Sequence, residues 1–141
     1  DTFRLKEFQS ELAEIFANRL FMVQTFMPKI VSEGEFSLFY FGGIFSHTIL
    51  KMPKAKDFRV QEEHGGIITA VQPSAKLLQT AGKVLSLITP TPLYARIDFV
   101  RDEHDDFCLM ELELIEPALY LRMDKNAPQF FAETIDSWLK K

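Results

Sequence analysis

A second cysteine is missing: Cys108 stands alone among 141 residues, so no disulfide can form within the chain and a reducing compartment is expected. Long hydrophobic runs are missing too. The longest, residues 36 to 45, is broken by Ser37 and by Gly42–Gly43, far short of the roughly 20 apolar residues of a spanning helix. No excess of positive charge exists to attract nucleic acid or anionic membrane, because the net charge is −4. The glycine pair lacks the spacing of a phosphate loop, and three histidines with one cysteine match no zinc motif. No amino-terminal targeting segment is evident. These absences predict a soluble, cytoplasmic protein that binds neither nucleic acid nor membrane.

What is present is an ordinary globular balance, 47% hydrophobic and 26% charged, with an unusually large count of 14 Phe. The length fits one domain with a real core. Leu5, Phe8, Leu12, Ile15, Phe16 and Leu20 recur at spacings of three and four, which predicts an amphipathic helix over residues 5 to 18. "FMVQTFMP" (21–28) reads as a short buried strand stopped by Pro28. Two apolar runs around Gly42–Gly43 read as a β-hairpin. The basic, polar loop "KMPKAKDFRVQEEHGG" follows at 51–66. Pro73 suits the first turn of a second helix carrying Leu77, Leu78, Ala81, Val84, Leu85 and Ile88, which "TPTP" ends. "LYARIDFV" and "FCLMELELI" read as two strands joined by the charged turn "RDEHDD". A last helix, opened by Asn126 and Pro128, should bury Phe131, Ile135 and Trp138. The predicted class is α+β, with a mainly antiparallel sheet and helices packed on it.

The chemistry concentrates in the last two strands. Side chains alternate across a strand, so Arg96 and Asp98 share one face while Ile97 and Phe99 take the other. Glu111 and Glu113 share a face likewise, opposed by Met110, Leu112 and Leu114. If these strands pair through the 101–106 turn, Arg96, Asp98, Glu111 and Glu113 converge. Three carboxylates so placed repel one another unless a cation intervenes. A hard divalent ion such as Mg²⁺ accepts such oxygen ligands. Equally, the strand face could be solvated, with Arg96 neutralising one acid. Cys108 reads as a small core residue. Ser46 and His47, adjacent in a strand, should point to opposite faces and form no nucleophile–base pair.

"ARIDFV…LMELELIEP" resembles the closing motif of the ATP-grasp ligases, where an Arg-x-Asp strand, a turn and a Glu-x-Asn strand end in Pro. "FMVQTFMP" followed by Gly34–Glu35 is similar to the hinge strand that holds adenine and the acid beyond it that binds ribose. Residues 50–66 are similar to a triphosphate-lining segment of that superfamily. The order of motifs also matches, over roughly residues 20 to 120. The resemblance implies an ATP-dependent ligase with Mg²⁺ (or Mn²⁺), nucleotide and a small carboxylate substrate as partners. It puts Asp98, Glu111 and Glu113 on the metal, and Arg96 at the reacting carboxylate and the oxyanion that follows. It puts Lys51 and Arg59 at the phosphates, Gln24, Phe26 and Met27 along adenine, and Glu35 at ribose. Glu113 replaces the usual Asn, adding a negative charge.

ATP-grasp enzymes close two lobes on the nucleotide, and a lysine of the small lobe reaches the phosphates. No strand ending in such a lysine, and no glycine-rich loop, precedes residue 20. The 141 residues are therefore expected to be a carboxyl-terminal portion of an ATP-grasp domain. Residues 1–30 would be a remnant of the small lobe and the hinge strand, and 31–141 the large lobe. A symmetric partner is expected to cover the aromatic residues Phe3, Phe8 and Phe16. A nucleotide-binding or interaction module without turnover is the alternative reading, and a structural domain with a merely solvated acidic face is a third.

Overall fold

The computed structural model describes residues 7–55, 57–60, 62 and 65–140. Its centre is one five-stranded antiparallel sheet of β1 (Glu35–Phe41), β2 (Ile44–Met52), β3 (Ile67–Ala70), β4 (Tyr94–Arg101) and β5 (Phe107–Glu113), in the spatial order β3-β2-β1-β4-β5. The hairpin between β1 and β2 turns on Gly42 and Gly43, whose φ values of 57° and 84° are left-handed, so a side chain at either would be strained. Every strand pairing is antiparallel; β1–β2 and β4–β5 are joined by short turns, whereas β1–β4 and β2–β3 pair across longer segments.

The sheet has two unlike faces because β1 and β4 alternate. Leu38 and Tyr40 of β1 join Ala95, Ile97 and Phe99 of β4 on one face. There they meet Leu77 and Ala81 of α3 (Ala75–Ser86) and Phe107 of β5. This is the larger core. Ser74 caps α3, its hydroxyl accepting the Leu77 N–H at 3.2 Å, so the helix begins at Ala75, two residues beyond Pro73. The opposite face carries Glu35, Ser37, Phe39 and Phe41 from β1, with Arg96, Asp98 and Val100 from β4. One end of this face is closed by α4 (Ala127–Leu139), through Phe41 against Phe130 (5.6 Å between ring centres) and Phe131 (4.7 Å). The other end is closed by Ile30 and Val60, packed on Val100. Between those closures lies the polar part.

Four expectations change. The first helix, α1, runs only from Gln9 to Ile15 and buries no residue, and Leu5 lies outside the described residues. At its carboxyl end the Phe16 ring lies 4.5 Å from the Phe21 ring. "FMVQTFMP" is not a buried strand: residues 21–26 are irregular and exposed, and Pro28 instead leads into α2 (Lys29–Ser32). A short apolar run becomes a strand only where a neighbouring edge supplies hydrogen bonds. This run lies beside β5, where Gln24 Nε2 stands 3.6 Å from Met110 Sδ. The edge strand β3 falls just after the stretch read as loop, and α4 leaves Trp138 47% exposed rather than buried.

Phe41 is the pin between sheet and α4, fully buried among aromatic rings. Phe41→Ala is expected to cost about 3–5 kcal/mol of unfolding free energy. Denaturant titration measures this, and a loss under about 1 kcal/mol would show that α4 docks by other contacts.

Candidate functional site

The polar part of the second face is built on pairing register. Arg96 lies opposite Glu113 and Asp98 opposite Glu111 across β4–β5, while Asp98 lies opposite Ser37 across β4–β1. Glu35 lies opposite Lys51 across β1–β2. Consequently six charged side chains from four strands meet. Arg96 Nε donates to Asp98 Oδ2 at 3.0 Å, and Arg96 Nη2 donates to Glu111 (3.0 Å) and Glu113 (2.7 Å). Lys51 Nζ donates to Glu35 Oε1 at 3.0 Å and to Asp98 Oδ2 at 3.2 Å. The convergence of Arg96, Asp98, Glu111 and Glu113 is as the alternation predicts. A merely solvated face does not describe it, since the Asp98 side chain is 1% exposed and that of Arg96 9%, although Glu111 is 54% exposed.

Beside this network opens a cleft of about 520 Å³, lined by Gln24, Thr25, Phe26, Met27, Ile30, Glu35, Phe58, Arg59, Val60 and Met110. Five residues singled out from sequence, Gln24, Phe26, Met27, Glu35 and Arg59, thus share one cavity. Glu35 belongs to both cleft and network. The Phe26 and Phe58 rings meet edge to face at 6.1 Å. The Arg59 guanidinium is held by Asp57, through Nε at 3.1 Å and Nη2 at 2.7 Å, while Asp57 also accepts the Phe58 and Arg59 backbone N–H groups. Asp57, Phe58, Val60 and Met110 were not read from sequence as part of the site.

Lys51 does not stand free at the cleft. Its ammonium is buried between Glu35 and Asp98, the acid of the cleft and an acid of the network. Met110 is also placed differently from the alternation. Phe99 pairs with Leu109 while Asp98 pairs with Glu111, so Met110 is an extra residue in β5. That bulge turns its side chain onto the acidic face, where it lines the cleft instead of opposing Glu111. A second bulge, at Ser46 in β2, overturns another reading. Ser46 Oγ lies 2.9 Å from His47 Nδ1, while His47 Nε2 donates to the Leu119 carbonyl at 3.2 Å. The imidazole is buried and stacked on Phe39 at 4.3 Å, and burial lowers its pKa, so the neutral ring fastens the segment before α4 to the sheet. Cys108 is half-buried, next to Asp102 rather than in the core.

Four carboxylates face two cations here, a formal imbalance of two negative charges. Burial raises the Glu35 pKa, opposed by Lys51 and reinforced by Asp98. Burial also raises that of Glu113, opposed by Arg96 and reinforced by Glu111 and Asp98. The donor set fits a hard divalent cation: carboxylate oxygens in surplus, plus the buried Ser37 hydroxyl on the same face, which lacks a hydrogen-bond partner. The donor chemistry suits an ion but the arrangement does not: among the described residues no group of three or more acidic, His or Cys side chains is placed to hold one. Among the described residues no helix is long and apolar enough to cross a membrane.

No protein-family profile matches the chain. It is 29% identical over 141 residues to the cycloserine biosynthesis protein DcsG of Streptomyces lavendulae, across 92% of this chain and 46% of that protein. The crystal structure of D-cycloserine synthetase DcsG superposes with a TM-score of 0.70 at 23% identity, over 82% of this chain and 41% of that one. D-alanine–D-alanine ligase from Bacillus anthracis, complexed with ATP, superposes with a TM-score of 0.55 at 17% identity, over 93% and 44%. The ATP-grasp ligase PsnB, complexed with a precursor variant, Mg and ADP, gives 0.53 at 12% identity, over 75% and 33%. The chain spans less than half the length of these relatives. Its fold is α+β and is that of part of an ATP-grasp ligase.

The raised carboxyl pKa values predict the pH dependence of stability in metal-free buffer. Between the ordinary value of 4.5 and its raised folded value, Glu113 keeps in the native state a proton that the unfolded chain has lost. Its contribution to stability therefore falls as pH rises across that interval. Glu113→Gln should flatten the decline of melting temperature across it. Identical slopes for the two proteins would show that Glu113 titrates as it does when unfolded.

Proposed function

We propose that this chain supplies the nucleotide cleft and acidic face of an ATP-dependent ligase that joins a carboxylate to an amine or thiol. One observation carries the reading: the cleft gathers Gln24, Phe26, Met27, Glu35 and Arg59, and Glu35 joins it through Lys51 to Asp98, which Arg96 links in turn to Glu111 and Glu113. A nucleotide lying along the cleft would set its base among Phe26, Met27 and Phe58. Glu35 would accept hydrogen bonds from ribose hydroxyls, and the Arg59 guanidinium, oriented by Asp57, would meet the phosphates. Lys51 would keep Glu35 and Asp98 in register rather than contact phosphate. Asp98, Glu111 and Glu113 would hold Mg²⁺ or Mn²⁺, which when bound supplies positive charge to the phosphate oxygens.

Arg96 is then the group for the substrate carboxylate. A carboxylate oxygen attacks the γ-phosphorus, the bond to the ADP oxygen breaks, and an acyl phosphate forms. The amine or thiol next adds to the acyl carbon, phosphate leaves, and a proton passes to solvent. The guanidinium stabilises the oxyanion between those two events. A phosphate-binding lysine would come from the opposing lobe, with residues 1–30 as a remnant of that small lobe and the hinge strand, and 31–141 as the large lobe. The parts of the relatives outside the match would supply that lobe.

A second reading, nucleotide binding without turnover, is favoured by the closed state of the arginines: Arg59 is occupied by Asp57, and Arg96 by three carboxylates. Phosphate release from ATP, given a panel of carboxylates and amines, separates the two readings. Binding alone is tested on this chain by calorimetry. Arg59→Ala should weaken ATP by about tenfold or more, the scale of one charge-assisted hydrogen bond, and leave adenosine unchanged. Equal weakening of both ligands, or of neither, would remove Arg59 from the phosphate site.

A further inference from the structure

We propose that a small cavity at the free edge of β2 binds a low-molecular-mass primary amine as its ammonium ion. None of its lining residues belongs to the nucleotide cleft or to the charged network, so the inference stands apart from the ligase reading.

Pairing explains why the cavity is there. β3 covers β2 only from Ile49 to Met52, and one further bond, from the Val71 N–H to the Thr48 carbonyl at 3.1 Å, closes that ladder. The chain then leaves through Gln72 and Pro73 toward α3. Among the described residues, the edge of β2 from Phe45 to His47 therefore has no strand on that side. Met123 and Asp124, ahead of α4, complete the walls of a space of about 150 Å³. Sites for drug-sized ligands span roughly 300–1,000 Å³, so an occupant here has only a few heavy atoms.

The hydrogen-bond directions around His47 fix what the wall offers. A backbone carbonyl can only accept, so the contact with Leu119 places the ring proton on Nε2. Nδ1 of the neutral ring is then an acceptor, and the Ser46 hydroxyl directs its single proton there, at 2.9 Å. Toward the cavity Ser46 Oγ has only lone pairs to present. Asp124 is an acceptor too. Its Oδ1 takes the Asn126 and Ala127 N–H groups at 2.8 and 3.0 Å, which pins the carboxylate, and its Oδ2 has no partner among the described residues. Arg122 does not neutralise it, since that guanidinium lies on Glu62 at 2.6 Å and over the Tyr120 ring. No lysine or arginine lines the cavity. The buried Thr48 hydroxyl, also of the wall, lacks a partner as well.

Acceptors carrying one uncompensated negative charge are complemented by a cationic donor. An ammonium group brings three N–H donors and one positive charge, for Asp124 Oδ2, Ser46 Oγ and a third oxygen from Gln72 or Thr48. Phe45, Val71, Pro73 and Met123 offer apolar wall to a short alkyl stem. An anion would meet only acceptors, and a quaternary ammonium has no N–H to donate.

The test uses the full chain, with propylammonium as probe and tetramethylammonium and acetate as controls at one ionic strength. Binding is read by nuclear magnetic resonance from the His47 ring nitrogens and the backbone amides of Ser46, Thr48, Gln72 and Asp124. Propylammonium should saturate these signals with a Kd of about millimolar, a scale open to a ligand so small, while both controls leave them unmoved. Asp124→Asn keeps an oxygen for the α4 N–H groups and should weaken propylammonium at least about tenfold, the scale of a charge-assisted hydrogen bond. Ser46→Ala should weaken it about threefold or more. Tetramethylammonium shifting the same signals as strongly would reduce the site to charge attraction and overturn the inference. So would shifts confined to the strand of Glu111 and Glu113, an unchanged affinity in folded Asp124→Asn, or no shift with about 100 mM probe. The natural chain alone supplies the binding and discrimination readouts, so the test survives a variant that fails to fold.

Discussion

A carboxylate with 1% of its side chain exposed, held within a sheet, governs this molecule. Asp98 sits on β4, next to the central strand, and an ionised acid there is tolerated only with charged partners and directed hydrogen bonds. Arg96 and Lys51 supply them from two different strands. Each of these cations must in turn be matched, which accounts for Glu35 on one side and for Glu111 and Glu113 on the other. The six-membered network thus follows from burying one acid. It also requires β1, β2, β4 and β5 to keep their register, because a one-residue slip in any of them would move its charge to the hydrophobic face.

The alternation of β4 makes that arrangement affordable for the fold. Ala95, Ile97 and Phe99 enter the core against α3, so a single strand supplies both the apolar layer and the charged one. The charged layer is kept small by aromatic closure from α4 at one end and by the cluster of Ile30, Val60 and Val100 at the other. Those closures restrict water around Asp98, and less water strengthens each ion pair while raising the cost of any unmatched charge. The upward pKa shifts of Glu35 and Glu113 express that cost.

Much of this was legible in the sequence because a strand has a period of two. The faces of "YARIDFV" and the pairing of Arg96 and Asp98 with Glu113 and Glu111 follow from alternation plus a short turn, as does the hairpin at Gly42–Gly43. Where a bulge adds a residue, alternation gives the wrong side, as at Met110 and Ser46. No local signal marks either bulge. Residues 21–27 read as a strand because a short apolar run is ambiguous, and although their backbone is irregular, Gln24 to Met27 line the cleft. The position of Lys51 escaped for a different reason. A lysine at the mouth of a basic loop looks solvated, and only the register that sets it opposite Glu35 reveals that it points inward between two acids.

That inward lysine links two regions that are otherwise separate. The cleft is mainly apolar, with Phe26, Met27, Ile30, Phe58, Val60 and Met110 along its walls, whereas the network is wholly charged. Glu35 is the acid common to both, and Lys51 is the bond between it and Asp98. A change of charge at Asp98 alters how the Lys51 ammonium is shared, and hence the field at the Glu35 oxygen that faces the cleft. By linkage, if the proposed ligands bind, one that hydrogen-bonds Glu35 would change the affinity of the acidic face for cations by the same factor. The two regions are one site because two acids, on adjacent strands, share a single lysine.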